Sequence, residues 1–104
     1  MNSKLITSFV PKGFRHVFHQ YTIRCQRSDV RDQRAELIKK LEAAGVGYGI
    51  YYPVPVHKQK ALKNFKIEQK FLESEKASKE VISLPVHPNL TKKDLEYIVR
   101  TIKS

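Results

Sequence analysis

Cysteine is almost missing from this chain. Cys25 stands alone, which excludes an internal disulfide, and the absence of a CxxC neighbour excludes the usual zinc and dithiol spacings. A reduced, cytoplasmic setting is therefore expected. Long apolar runs are missing as well: nothing is long enough to cross a bilayer, and Leu5 and Ile6 are followed at once by polar residues where a secretory leader would continue apolar. No low-complexity stretch or internal repeat is visible, which favours a packed globule over disorder. Carboxylates are scarce, with ten Asp and Glu against twenty Lys and Arg, so the formal charge is +10. Such a field attracts phosphates, nucleic acid or acidic membranes without choosing among them.

What is present suits a single core. Apolar residues make up 40% of the 104 and charged residues 29%, and a chain of this size buries enough surface for one domain and rarely for two. The basic residues are scattered from Lys4 and Lys12 through Arg31, Arg34 and Lys39 to Lys92, Lys93 and Lys103. That spread reads as a solvated surface and not as a dedicated binding stripe.

Residues 1–15, with Pro11 and Gly13 and no periodicity, read as a lead-in segment, and the domain proper is expected over 16–104. From His16 to Cys25 the pattern alternates, placing Val17, His19, Tyr21, Ile23 and Cys25 on one face of a strand. Asp29 is positioned to cap a helix carrying Val30, Leu37, Ile38, Leu41 and Ala44 at three- and four-residue steps, with Gly45 as a left-handed stop. Val46, Tyr48, Ile50 and Tyr52 alternate with Gly47, Gly49 and Tyr51, predicting a second strand whose glycine side admits a close neighbour. Pro53 and Pro55 then impose a stiff extended loop.

Beyond the loop, a short helix is expected over His57–Phe65, a longer one over Phe71–Val81, and a strand over Ile82–Leu84 that Pro85 stops. Thr91 and Asp94 form a capping-box pattern, with Leu90 and Leu95 at staple positions and Leu95, Ile98, Val99 and Ile102 along one stripe. The order predicts an α+β fold, a small three- to four-stranded sheet with helices packed on one face.

Three blocks together resemble the C-terminal small domain of DegT/DnrJ/StrS-type aminotransferases, which act on keto sugars attached to nucleotides. They are HVFHQYTIR at His16–Arg24, GVGYGIYYPVPVHKQ at Gly45–Gln59 and SEKASKEVISLPVHPNLTKKDLEYIV at Ser74–Val99. The resemblance covers about Pro11 to Ile102 and implies a fold-type-I enzyme in which a large domain holds pyridoxal phosphate (PLP) and this small domain closes over the site. Transamination needs a lysine amine for the cofactor, an acidic partner for its ring nitrogen and donors for its phosphate. No lysine here lies in a segment resembling the family's cofactor-lysine motif, so the large domain reads as absent, and no catalytic or cofactor-binding residue is assigned to the chain alone. The loop Tyr51–His57 is the part the resemblance turns toward substrate. Tyr51, Tyr52, Pro53 and His57 are the substrate-binding candidates, because a proline-stiffened loop presents hydroxyls and an imidazole to a sugar at little entropic cost.

Plainer readings stand beside these. Tyr51 and Tyr52 can equally be packing aromatics with wet hydroxyls, His19 a satisfied core histidine, His87 a turn residue, and Glu75 one half of a surface ion pair. His16 and His19 fall on opposite faces of a strand, which argues against a metal pair. Two functions remain open. One is a truncated or split aminotransferase domain, inactive alone, that shapes a nucleotide-sugar pocket and works with a separate PLP-binding chain. The other is a small basic module that binds a nucleotide sugar or nucleic acid without catalysis. In either case Phe9, Val10, Phe14 and Phe18 are expected to leave an apolar patch that promotes self-association.

Overall fold

The computed structural model of the chain describes residues 5–28 and 31–104. Its elements run β1 (Leu5–Ile6), β2 (Tyr21–Cys25), β3 (Arg27–Ser28), β4 (Arg31–Asp32), α1 (Gln33–Ala43), α2 (Leu72–Glu80), β5 (Val81–Leu84) and α3 (Lys92–Lys103). Two 3₁₀ turns, Val56–Lys58 and Lys60–Leu62, lie between α1 and α2. The fold is α+β: β1, β2 and β5 form a three-stranded antiparallel sheet in that spatial order, and β3 and β4 form a separate two-stranded ladder.

The alternation expected from His16 survives only in its second half. Tyr21, Ile23 and Cys25 face the core as the period-two pattern requires. Residues 16–20, however, are not strand. Phe18 adopts φ +44°, its ring stacks on His16 at 4.0 Å, and its backbone N–H donates to His16 Nδ1 at 2.8 Å. That left-handed step takes the backbone out of the extended conformation a ladder requires. Val17 and His19 are consequently exposed and not on a core face.

Register follows from which side chains must be buried. Ile23 stands opposite Ile82 and Tyr21 opposite Leu84, while on the other face Thr22 stands opposite Ser83, their hydroxyls 2.8 Å apart. β1 adds Leu5 opposite Cys25. It comes from within the expected lead-in.

Helix α1 covers the Ile23 face through Leu37 and Leu41, both fully buried, and the core cluster is Ile23, Cys25, Leu37, Leu41 and Ile82. Each large aliphatic buried this way contributes about 1.5–3 kcal/mol. The expected cap Asp29 and the expected apolar residue Val30 lie outside the described residues. Asp32 caps α1, its Oδ1 accepting from the Ala35 N–H at 3.1 Å. Gly45 at φ +72° stops the helix as its position predicts. Its N–H donates to the Glu42 carbonyl and that of Val46 to the Leu41 carbonyl, which satisfies two orphan acceptors. Ala44 lies just past the helix, as its C-cap.

Helix α2 is tied to α1 and to the sheet. Arg34 Nη1 donates to the carbonyls of Ser78 and Val81 at 2.8 and 3.2 Å, serving the acceptor-rich end of α2. Arg24 on β2 meets the buried Glu80 at 2.7 Å. Val81 belongs to β5 and not to the helix. In α3 the capping box forms as read, with Asp94 N–H to Thr91 Oγ1 at 3.1 Å and Thr91 N–H to Asp94 Oδ2 at 2.9 Å. Its stripe is only half used: Ile98 is buried and Ile102 half-buried, but Leu95 and Val99 remain exposed.

The segment 46–52 is not a strand. It touches the sheet at one residue, where Gly49 exchanges both backbone hydrogen bonds with Ser83 at 3.0 and 2.7 Å. Pro85 ends β5 on one side, and Gly47 and Gly49 weaken strand pairing on the other, so the contact stays a single bridge. Likewise the helix expected over His57–Phe65 is two 3₁₀ turns, because Gln59 between them is extended and its side chain reaches back to the Val54 carbonyl at 2.8 Å.

Candidate functional site

The glycine at 49 does more than bridge to β5. A Cβ there would lie 2.4–2.6 Å from the far ring atoms of Tyr51, so glycine lets that ring fold back over the backbone. The close neighbour anticipated on the glycine side is therefore the chain's own tyrosine. Tyr51 and Tyr52 then meet edge to face with centroids 5.7 Å apart.

Downstream, Pro55 opens the first 3₁₀ turn, with Lys58 N–H donating to the Pro55 carbonyl at 2.9 Å. This turn carries His57 inward. The imidazole tilts against Phe71 at 4.9 Å, and its Nε2, buried without a hydrogen-bond partner, lies 3.8 Å from Glu75 Oε2. Glu75 Oε1 takes the Lys58 ammonium at 2.5 Å. The hydrogen bond from Lys58 holds the Glu75 carboxyl below its ordinary range, and the nearby charges of Lys58, His57 and Lys79 act in the same direction. Glu75 thus brackets the loop against α2, a larger part than one half of a surface pair.

Together these elements enclose a cleft of about 850 Å³. Tyr51, Tyr52 and His57 all line it; Pro53 does not, although Pro55 does. Val54, Val56, Leu62 and Phe71 make the walls largely apolar, with Ser74, Ser78 and Gln69 as polar points. Tyr51 also borders a smaller cavity of about 280 Å³ that includes His19, Gln20 and Tyr48. Neither the Phe71 contact nor the Glu75 bracket was readable beforehand, since both reach across the loop and leave no local periodicity.

A PLP amine requires a lysine held in a desolvated cradle of donors. Among the described residues every lysine is exposed except the half-buried Lys40, which bonds to the Ser104 carbonyl oxygen. Lys66, at the cleft wall, is exposed and paired with Glu68 at 3.2 Å.

Comparison with known proteins places the arrangement. The sequence pattern of the DegT/DnrJ/EryC1/StrS aminotransferase family matches residues 2–103. A pleiotropic regulatory protein from Geobacillus stearothermophilus is 40% identical over 91 residues, covering 86% of this chain and 23% of its own length. A UDP-N-acetyl-3-dehydro-alpha-D-glucosamine 3-aminotransferase from Acidithiobacillus ferrooxidans is 32% identical over 93 residues, covering 89% of this chain and 23% of its own. A solved family aminotransferase from Brucella abortus superposes with TM-score 0.81 at 30% identity, over 95% of this chain and 25% of that one. The chain thus spans about a quarter of the length of these relatives, and across nearly all of its own length it belongs to the DegT/DnrJ/EryC1/StrS aminotransferase family.

Proposed function

We propose that this chain is the small domain of a nucleotide-sugar aminotransferase, and that Tyr51, Tyr52 and His57 form the wall meeting the sugar, with Pro53 stiffening the turn behind them. The observation that carries the reading is their convergence on one cleft of about 850 Å³. Among the described residues neither the Tyr51 nor the Tyr52 hydroxyl is hydrogen-bonded, so both are available to a polyol, while the His57 ring lines the same cleft with its Nε2 buried beside Glu75. In this reading catalysis requires the remaining three quarters of the fold, with its PLP, from the same polypeptide or another. The exposure of the described lysines supports that division of labour. So does the work of positioning, since a pre-stiffened loop orients substrate without supplying the reacting group.

Three smaller parts belong to the same reading. Phe9 and Phe14, both exposed, promote self-association of the isolated chain. The reduced, buried Cys25 suits the cytoplasm. No helix among the described residues is long and apolar enough to cross a membrane.

The test combines the purified chain with a polypeptide carrying the cofactor-binding region of a family member and measures association and amino transfer to UDP-linked ketosugars. Association with transfer is expected, and His57→Ala or Tyr52→Phe should lower kcat/KM by about tenfold, the worth of one good hydrogen bond to substrate. Absence of association, or transfer indifferent to both substitutions, would sink the proposal.

A further inference from the structure

We infer that Glu75 sets the tautomer of His57, holding the ring proton on Nε2, so that Nδ1 is left as a fixed hydrogen-bond acceptor for a ligand in the cleft. Glu75 is then a positioning residue, acting through the imidazole. The inference deepens the sugar-site reading, on which its choice of ligand rests, but the tautomer itself stands on the geometry alone. A neutral imidazole has one donor and one acceptor nitrogen, and the surroundings of one fix the role of the other. Here the two nitrogens differ. Nε2 is sealed from solvent without a hydrogen-bond partner, 3.8 Å from Glu75 Oε2. Nδ1 has no partner among the described residues either, yet it is not sealed, and the ring lines the cleft. The nitrogen that a ligand can reach is therefore Nδ1.

The charge beside Nε2 decides where the proton sits. At 3.8 Å the carboxylate is too far for a hydrogen bond, but across a gap sealed from water its field still acts strongly. An N–H dipole turns its positive end to Glu75, whereas a lone pair would set two negative poles against each other. Lys58 keeps Glu75 ionised by bonding its other oxygen. The Phe71 ring, with its centroid 4.9 Å from that of the imidazole, offers no competing donor. The neighbouring Gln59 amide is engaged by the Val54 carbonyl. The consequence reaches the ligand. The Tyr51 and Tyr52 hydroxyls can rotate to donate or accept, but Nδ1 in this tautomer only accepts. A sugar hydroxyl satisfies it, and an ionised diphosphate, with no hydrogen to give, does not. The sugar end of a nucleotide sugar is thus the end that meets His57.

The experiment records two-bond ¹H–¹⁵N spectra of the ¹⁵N-labelled full chain at about pH 8, where an ordinary imidazole is neutral, and reads the two His57 nitrogens directly. A protonated Nε2 and a bare Nδ1 are expected in the ligand-free chain. In Glu75→Gln the ratio of that tautomer to its alternative should fall by about tenfold, while Lys58→Gln, which leaves the carboxylate to His57, should not lower it. Should Glu75→Gln misfold, Glu75→Met, which keeps the length and removes the charge, replaces it. Phenol, an apolar ring with one hydroxyl, should move the Nδ1 signal saturably. Anisole, the same ring without the donor, and inorganic pyrophosphate should not. UDP-N-acetylglucosamine should move it as phenol does. If phenol acts and the sugar nucleotide does not bind, the sugar-site reading fails and the inference about His57 stands. A proton on Nδ1 in the free chain, a ratio indifferent to Glu75, or an Nδ1 signal unmoved by phenol overturns the inference. So does an equal response to anisole or pyrophosphate.

Discussion

The sheet with α1 and the loop with α2 are built from similar apolar residues, yet they use them in opposite ways. In the first, Ile23, Leu37, Leu41 and Ile82 turn inward and are all but inaccessible, and the strands satisfy the backbone. In the second, Val54, Val56, Phe65 and Leu72 stay in contact with water, and order comes from prolines, 3₁₀ turns and side-chain brackets such as Gln59 to Val54 and Glu75 to Lys58. Stiffness and burial are separable. The first region is held by what it hides, and the second by local brackets that leave its apolar side chains exposed.

That contrast is broken most directly by truncating one residue in each region. Leu41→Ala, at a position with no exposed surface, should lower unfolding free energy by about 2–5 kcal/mol. Val56→Ala should change it by no more than about 0.5 kcal/mol, as at other exposed positions. Urea denaturation of the two variants checks this. Equal losses would mean that the loop side chains belong to the core after all.

A smaller effect sharpens the core side. Burial pushes the Cys25 thiol from 9.0 to about 11. Between those values the unfolded thiol ionises while the folded one keeps its proton, so the unfolded state binds fewer protons and stability falls as pH rises. Two pH units of difference correspond to about 1–3 kcal/mol lost across that window. Cys25→Ala should remove this part of the alkaline slope while leaving other titrations in place. Stability curves that remain parallel from pH 8 to 11 (roughly the span in which a thiol titrates) would show that the thiol is not desolvated.

How much could be read from residues alone follows the same division. Local signals written within one turn or one strand were legible: the Thr91–Asp94 box, the Gly45 stop, and the inward set Tyr21, Ile23 and Cys25. What failed depended on contacts made at a distance. The strand did not begin at His16, because Phe18 turns on the imidazole two residues earlier. The alternation of 46–52 did not become a ladder: Gly49 alone pairs with Ser83, and Tyr51 folds its ring back over that glycine. At the site, Tyr51, Tyr52 and His57 were named from the loop's composition and the family resemblance, and they do share a cleft. Pro53 does not reach it, and the bracket of Glu75, far along the chain, carries no periodic mark.

A small effect on stability is expected at Gly49, and it probes the loop region most finely. An added Cβ meets first the outer ring atoms of Tyr51, which a rotation can move, and the bridge to Ser83 uses backbone groups that alanine retains. Gly49→Ala should therefore cost about 1 kcal/mol or less in unfolding free energy. Its effect on the site should be larger, because the ring that separates the two cavities must leave its seat. Tyr51 ring resonances and amide shifts within 48–57 should move, while those of Leu37, Leu41 and Ile82 stay in place. Shifts that spread into the core, or a Tyr51 ring left undisturbed, would show that the two regions are not the separable halves described.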